Sequence, residues 1–136
     1  MSESFVITIP GDPVAQKRPR FSRKLGRAFS VQHDVKDCMT WHFASQWGDR
    51  DPLDGPVELD MTFYIKIAAS TSKKKATALL GQPCLKHADT DNFIKLACDS
   101  AEGVLFKNDS QVWAITAKKI WSDDPRTVMI VDTPHA

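Results

Sequence analysis

Three aspartates and a lysine stand where they could do chemistry together. Asp89 and Asp91 are two apart, Lys95 follows four residues after Asp91, and Asp109 lies 18 residues beyond Asp91. If the segment holding Asp89 and Asp91 is extended, both carboxylates project to one side. Lys95 comes one helical turn later, so its ammonium can lean over the same place. The intervening helix of about 11 residues would be roughly 16 Å long. Asp109 therefore reaches that place only if the next strand folds back beside the helix, which the short loop Gly103 to Asn108 permits. Converging oxygen donors suit a hard divalent ion such as Mg²⁺ or Mn²⁺. Such an ion takes one or two protein carboxylates, keeps several waters and uses substrate phosphate oxygens for the rest. A lysine over that site could stabilise negative charge growing on a phosphate.

Each residue also has a plainer use. Asp91 is a good helix N-cap, Lys95 could pair with Asp91 or Asp99 on a solvated face, and Asp109 in Lys107-Asn108-Asp109-Ser110 could be a turn residue. Cys84 and His87 form a lone C-x-x-H without a second half, more easily read as a loop thiol and histidine than as a zinc site.

The cations are segregated although the chain is almost neutral, with 18 basic and 17 acidic residues. Residues 14–30 hold Lys17, Arg18, Arg20, Arg23, Lys24 and Arg27 and no acid. Lys73, Lys74, Lys75 and Lys86 form a second acid-free patch, while Asp49, Asp51, Asp54, Glu58 and Asp60 concentrate the negative charge elsewhere. Either basic tract is a solvated surface or a grip on phosphates, with Phe21 and Phe29 as rings for bases or as anchors.

The elements that must position these groups follow from periodicity. Phe5 to Ile9 reads as a short strand stopped by Pro10, Gly11 and Pro13. Ser30 can cap a helix from about Val31 to Trp47, with Val35, Cys38, Met39, Phe43 and Trp47 as its stripe and Gly48 as its stop. Val57 to Ile67 alternates apolar and polar residues throughout, the period of a strand with one buried face. A polar excursion over 68–88 can carry a short helix around Lys73 to Leu80. A second main helix runs from about Asn92 to Glu102, capped by Asp91, striped by Phe93, Ile94, Ala97, Cys98 and Ala101, and closed by Gly103 with Val104 in contact. Gln111 to Trp121 and Thr127 to Val131 are two strands joined by a turn at Ser122 to Pro125. Trp41 and Trp47 read as helix packing, Trp113 and Trp121 as sheet residues. The order strand, helix, strand, helix, strand, strand predicts an α+β two-layer sandwich on one mixed sheet.

At 136 residues the chain makes one domain, 1–136, because halves of under 70 would each struggle to hold a core. With 42% apolar and 26% charged residues it is not a disordered chain. It has no apolar run long enough for a membrane and no signal-type N-terminus. Three scattered cysteines, Cys38, Cys84 and Cys98, form no disulfide pattern, and a reducing cytoplasm is the expected compartment.

His87-Ala88-Asp89-Thr90-Asp91-Asn92-Phe93-Ile94-Lys95 resembles the D-x-D-N-x-x-K signature of the RusA family of Holliday junction resolvases. Gly103-Val104-Leu105-Phe106-Lys107-Asn108-Asp109-Ser110-Gln111-Val112 is similar to that family's G-x-x-x-x-D-D-x-Q-V. Ile9 to Val14 followed by Lys17 to Phe21 also looks like the opening of many members, often phage-encoded. The resemblance implies an α+β homodimer that cuts four-way DNA junctions with Mg²⁺ or Mn²⁺. The essential carboxylates and lysine would be Asp89, Asp91, Asp109 and Lys95. DNA would be gripped by Lys17, Arg18, Arg20, Arg23, Lys24, Arg27, Lys73, Lys74 and Lys75. Asn108 departs from the pattern, which usually has an acid there, and Asp109 matches the required one. The expectation is a Mg²⁺-dependent endonuclease making paired nicks across a junction. Its rivals are a nuclease for flaps or forks and a DNA-binding module without catalysis.

Overall fold

The computed structural model describes residues 3–16, 20–22, 27–29, 33–87 and 89–134, with backbone alone at 20–22, 27–29, 33 and 34. β1 is Glu3–Pro10, and a small hairpin follows, β2 Arg20–Ser22 with β3 Arg27–Phe29. Then come α1 His33–Trp47, β4 Val57–Lys66, α2 Lys73–Leu79, α3 Thr90–Ala101, a 3₁₀ turn Asp109–Gln111, β5 Val112–Ser122 and β6 Arg126–Thr133. The main sheet has the order β1-β6-β4-β5. β4 runs parallel to β5 and antiparallel to β6, so the sheet is mixed and the protein is α+β, as its sequence predicts.

β4 organises the core. Val57, Leu59, Met61, Phe63 and Ile65 are all buried on one face. The register sets Leu59, Met61 and Phe63 beside Val131, Met129 and Thr127 of β6, and these in turn beside Phe5, Ile7 and Ile9 of β1. α1 and α3 contact each other over this sheet, and Met39, Phe43 and Trp47 of α1 and Phe93, Leu96, Ala97 and Ala101 of α3 join the core. Phe63 and Phe93 meet with ring centroids 5.1 Å apart, tying α3 to β4. Removing such a buried ring typically costs about 3–5 kcal/mol.

Several local expectations shift. Cys38 and Trp41 are exposed, Trp41 at 64%, so the core stripe of α1 is Met39, Phe43 and Trp47 with Val35 half-buried. Leu96 takes the central place on α3, while Ile94 and Cys98 are half-buried at its margin. The expected cap Ser30 lies outside the described residues. Gly103 has φ +87 and closes α3 as expected, a left-handed position that any side chain would strain. After it, Leu105 and Phe106 are fully buried, and Leu53 N–H donates to the Leu105 carbonyl at 2.8 Å. The chain is thereby turned back beside α3.

The 68–88 excursion covers an edge. β5 is an outer strand, and Cys84 N–H donates to Lys119 O, Trp121 N–H to Gln82 O and Gly81 N–H to Trp121 O, each at 3.0 Å. The open backbone at this end of β5 is thus paired, which blunts a sheet edge.

Candidate active site

α3 and the turn before β5 bring most of the predicted residues together. Asp91, Lys95 and Asp109 line one open cavity of about 400 Å³ with Asp99, Ile94, Cys98, Val112 and Ile115. Asp91, Lys95 and Asp99 follow one another at four-residue intervals on α3, which stacks them on one face. Asp99 was legible by that spacing, yet the sequence suggests for it only an ion pair with Lys95. No such pair forms: among the described residues the ion pairs are Lys107–Asp54 and Arg126–Asp124.

Asp89 stands apart from this cavity. α3 begins at Thr90, so Asp89 rather than Asp91 is its N-cap residue, with φ −65 and ψ 145 and no side-chain capping bond. Asp91 lies in the first helical turn. The extended geometry that would put both carboxylates on one side is therefore absent, because residues two apart do not face each other on a helix. Asp89 is exposed, and its carbonyl accepts from Asn92 N–H at 3.0 Å.

Asp109 is held by a clamp of side chains. Gln111 Oε1 accepts from Lys107 N–H and Asn108 N–H, both at 2.8 Å, and its Nε2 donates to the carbonyls of Leu53 and Gly55 at 2.8 and 2.9 Å. Asn108 Oδ1 accepts from Ser110 N–H at 2.9 Å, capping the 3₁₀ turn. An aspartate could accept that bond equally well, so Asn108 fills the usually acidic position as a cap. Glu102 takes Asp109 N–H at 2.8 Å. Gln111→Ala removes all four bonds of the clamp at a half-buried site, so the thermal melt is expected to show a loss of about 1–3 kcal/mol. An unchanged melting temperature would show that the clamp holds nothing.

The cavity is electrically negative. Burial, then the charges of Asp99 and Asp109, push the Cys98 thiol up from 9.0 to about 11. A raised thiol pKa means less thiolate at any pH below it, about 100-fold less at pH 8 for such a rise. Alkylation followed by mass spectrometry should accordingly find exposed Cys38 modified well before Cys98, and equal rates would argue against the negative field. The three cysteines are free thiols.

The oxygen donors are chemically right for a hard divalent ion: three solvent-facing carboxylates on one cavity, balanced by one lysine. Among the described residues, however, no group of three or more His, Cys, Asp or Glu side chains stands close enough to hold an ion as one set. Cys84 is buried and its thiol donates to Lys86 O, which leaves the C-x-x-H pair as an ordinary loop feature.

The basic residues fall differently. Lys17, Arg18, Arg23 and Lys24 lie outside the described residues, and Arg20 and Arg27 sit on the hairpin strands β2 and β3, which the sequence did not predict. That tract begins beside the site, since Gln16 N–H donates to Asn92 O at the start of α3 at 3.0 Å. Lys73, Lys74 and Lys75 form the exposed first turn of α2, where Ser72 Oγ accepts from Lys75 N–H. Among the described residues, no helix is long and apolar enough to cross a membrane.

Fold and site together define a two-layer α+β protein with an acidic cleft between a helix and an edge strand. Residues 10–132 match the family described as Endodeoxyribonuclease RusA, and the chain belongs to that family. It is also similar to the protein named Uncharacterized protein YqaN of Bacillus subtilis (strain 168). The two are 32% identical over 133 residues, covering 91% of this chain and 92% of that protein.

Proposed function

We propose that the chain is a Mg²⁺-dependent endonuclease that resolves four-way DNA junctions by paired nicks, working as a homodimer in the cytoplasm. The observation that carries this reading is the joint placement of Asp91, Lys95 and Asp109 on one cavity in a chain of an endodeoxyribonuclease family. Asp91 and Asp109 would hold the ion, with Asp89 at the mouth of α3 as a further oxygen donor and Mn²⁺ as a substitute. When bound, the ion supplies an acidified water and neutralises charge at the scissile phosphate. Lys95 directs its ammonium at the phosphate oxygens, where charge grows during reaction. Departure of the 3′ oxygen leaves a 5′-phosphate and a 3′-hydroxyl, ends a ligase can seal. Two copies related by a two-fold axis present two such sites, one for each nick.

Substrate grip comes from cations, because the cleft itself repels phosphate. Replacing Arg18, Arg20 and Arg23 together with Ala should weaken junction binding and flatten its salt dependence by about one unit of slope per lost phosphate contact. An unchanged slope would return the tract to plain surface. The reading as a whole is tested with a panel of end-labelled four-way junctions, forks, flaps and duplexes, with and without Mg²⁺. Preferred, symmetric, Mg²⁺-dependent nicking of the junction is expected. Preference for flaps or forks would move the activity to other branched DNA, and binding without nicking would make the chain a DNA-binding module.

A further inference from the structure

A larger cavity, about 520 Å³, lies away from the carboxylates, where the excursion 68–88 meets the C-terminal half of β5. Its volume is within the range of small-ligand sites. Lys66, Lys75, Lys86 and His87 line it together with apolar surface from Leu79 and Trp121, and none of the residues around it is an acid. The acidic cleft and this cavity therefore carry opposite charge on one molecule. The two share a strand face: Ile115 lines the cleft and Trp121 the cavity, and both lie on β5 with side chains on the core side, opposite Leu59 and Ile65 of β4. At about 3.3 Å per residue the separation is roughly 20 Å, the rise of about six stacked nucleotides.

We infer that this cavity takes one unstacked nucleotide of the branched DNA, its base against the Trp121 indole and its phosphate against Lys75 and Lys86. The inference rests on the proposed action on branched DNA and adds a contact remote from the nick. Apolar wall and cationic rim match a ligand with a flat π-face and a charged phosphate, the pairing that single-stranded nucleic-acid sites use. The site is built before the DNA arrives. The three backbone bonds from residues 81–84 to Lys119 and Trp121 fix its floor, and Lys119 Nζ donates to Lys86 O at 2.9 Å. His87 stands at φ 70, strained for a residue with a side chain, and its ring meets Trp121 edge-on at 6.0 Å. Strain of this kind is kept where surrounding structure enforces it, commonly at binding sites. Two residues further on is Asp89, so the pocket is continuous in sequence with the entry to α3. An adjoining cavity of about 450 Å³ shares Lys66 and His87 and extends to Asp12 and Pro13, toward the N-terminal basic tract.

The experiment places a single 2-aminopurine at successive positions two to eight nucleotides from the nick site of a four-way junction. The full-length Asp91→Asn protein is titrated in EDTA, so that nothing is cut. One position should change its emission on binding, and the change should be lost in Trp121→Leu and kept in Trp121→Phe. Trp121→Leu should also weaken junction binding about tenfold, as loss of one base stack does. Lys75→Ala with Lys86→Ala, both at exposed positions that cannot disturb the core, should lower the salt slope by about two units. Junction binding that is intact while no position responds and the lysine pair leaves the slope unchanged overturns the pocket alone. A protein that binds no branched DNA at all overturns both this inference and the proposed function.

Discussion

Asp109→Asn is expected to leave junction cleavage slower by at least about 10³-fold while the protein melts where the wild type does. The carboxylate is exposed on the open cavity. The bonds that fix its loop run through its own backbone N–H and through Asn108 and Gln111, not through its side chain. The amide keeps that shape and removes only the charge. Loss of about 4 kcal/mol of metal-mediated charge stabilisation corresponds to that factor in rate. Asp91→Asn should behave alike, for the same reason. Binding in EDTA should persist or improve in both, because a repulsive charge facing phosphate has gone. Asp89→Asn separates the three: Asp89 lies outside the shared cavity, and a full loss there would require it to turn into the site when DNA and metal bind.

Lys95→Ala is the second large effect, a loss of about 10²–10³ in single-turnover rate with binding and melting temperature barely moved. The alternative use of Lys95, an ion pair on a solvated helix, would contribute only roughly 0.3–0.5 kcal/mol. No ion pair of Lys95 is formed with Asp91 or Asp99 among the described residues. Its exposed side chain instead lines the cavity holding three carboxylates. A cation aimed at transition-state charge is worth roughly 3–4 kcal/mol, which gives the stated factor. Lys95→Arg should also be strongly impaired, since a planar guanidinium does not reproduce a compact ammonium. A loss below threefold in Lys95→Ala would remove the residue from the chemistry.

What could be read from the sequence was what periodicity and single-residue stereochemistry encode. The alternation of Val57 to Ile65 made β4 unmistakable, and Gly103 announced the end of α3. The strand order β1-β6-β4-β5 was not readable, because pairing partners are chosen by long-range packing. β2 and β3 are three residues each and rich in arginine, too short to show a period. The start of α3 was misplaced because Asp89 and Asp91 are equally good caps and only the packing of Phe93 and Leu96 chooses between them. Trp41 was taken for core on its size alone. Within the site, Asp91, Lys95 and Asp109 were found by spacing and by resemblance, whereas Asp99 and the clamp of Gln111 needed coordinates. Gln111 acts through backbone groups of Leu53 and Gly55, which no local pattern links to it. The excursion 68–88 had no evident purpose in sequence. Its bonds to the edge of β5 give it one.

The central claim is that the cleft of Asp91, Lys95 and Asp109 cuts branched DNA with a divalent ion. Single-turnover cleavage of a labelled four-way junction, followed across a Mg²⁺ titration for wild type and Asp109→Asn side by side, tests it most directly. The account predicts paired nicks in opposing strands that rise with Mg²⁺ and vanish in EDTA, and no cleavage by the mutant although it still binds the junction. Wild-type cleavage that survives EDTA, or a mutant that cuts at near the wild-type rate, would contradict it.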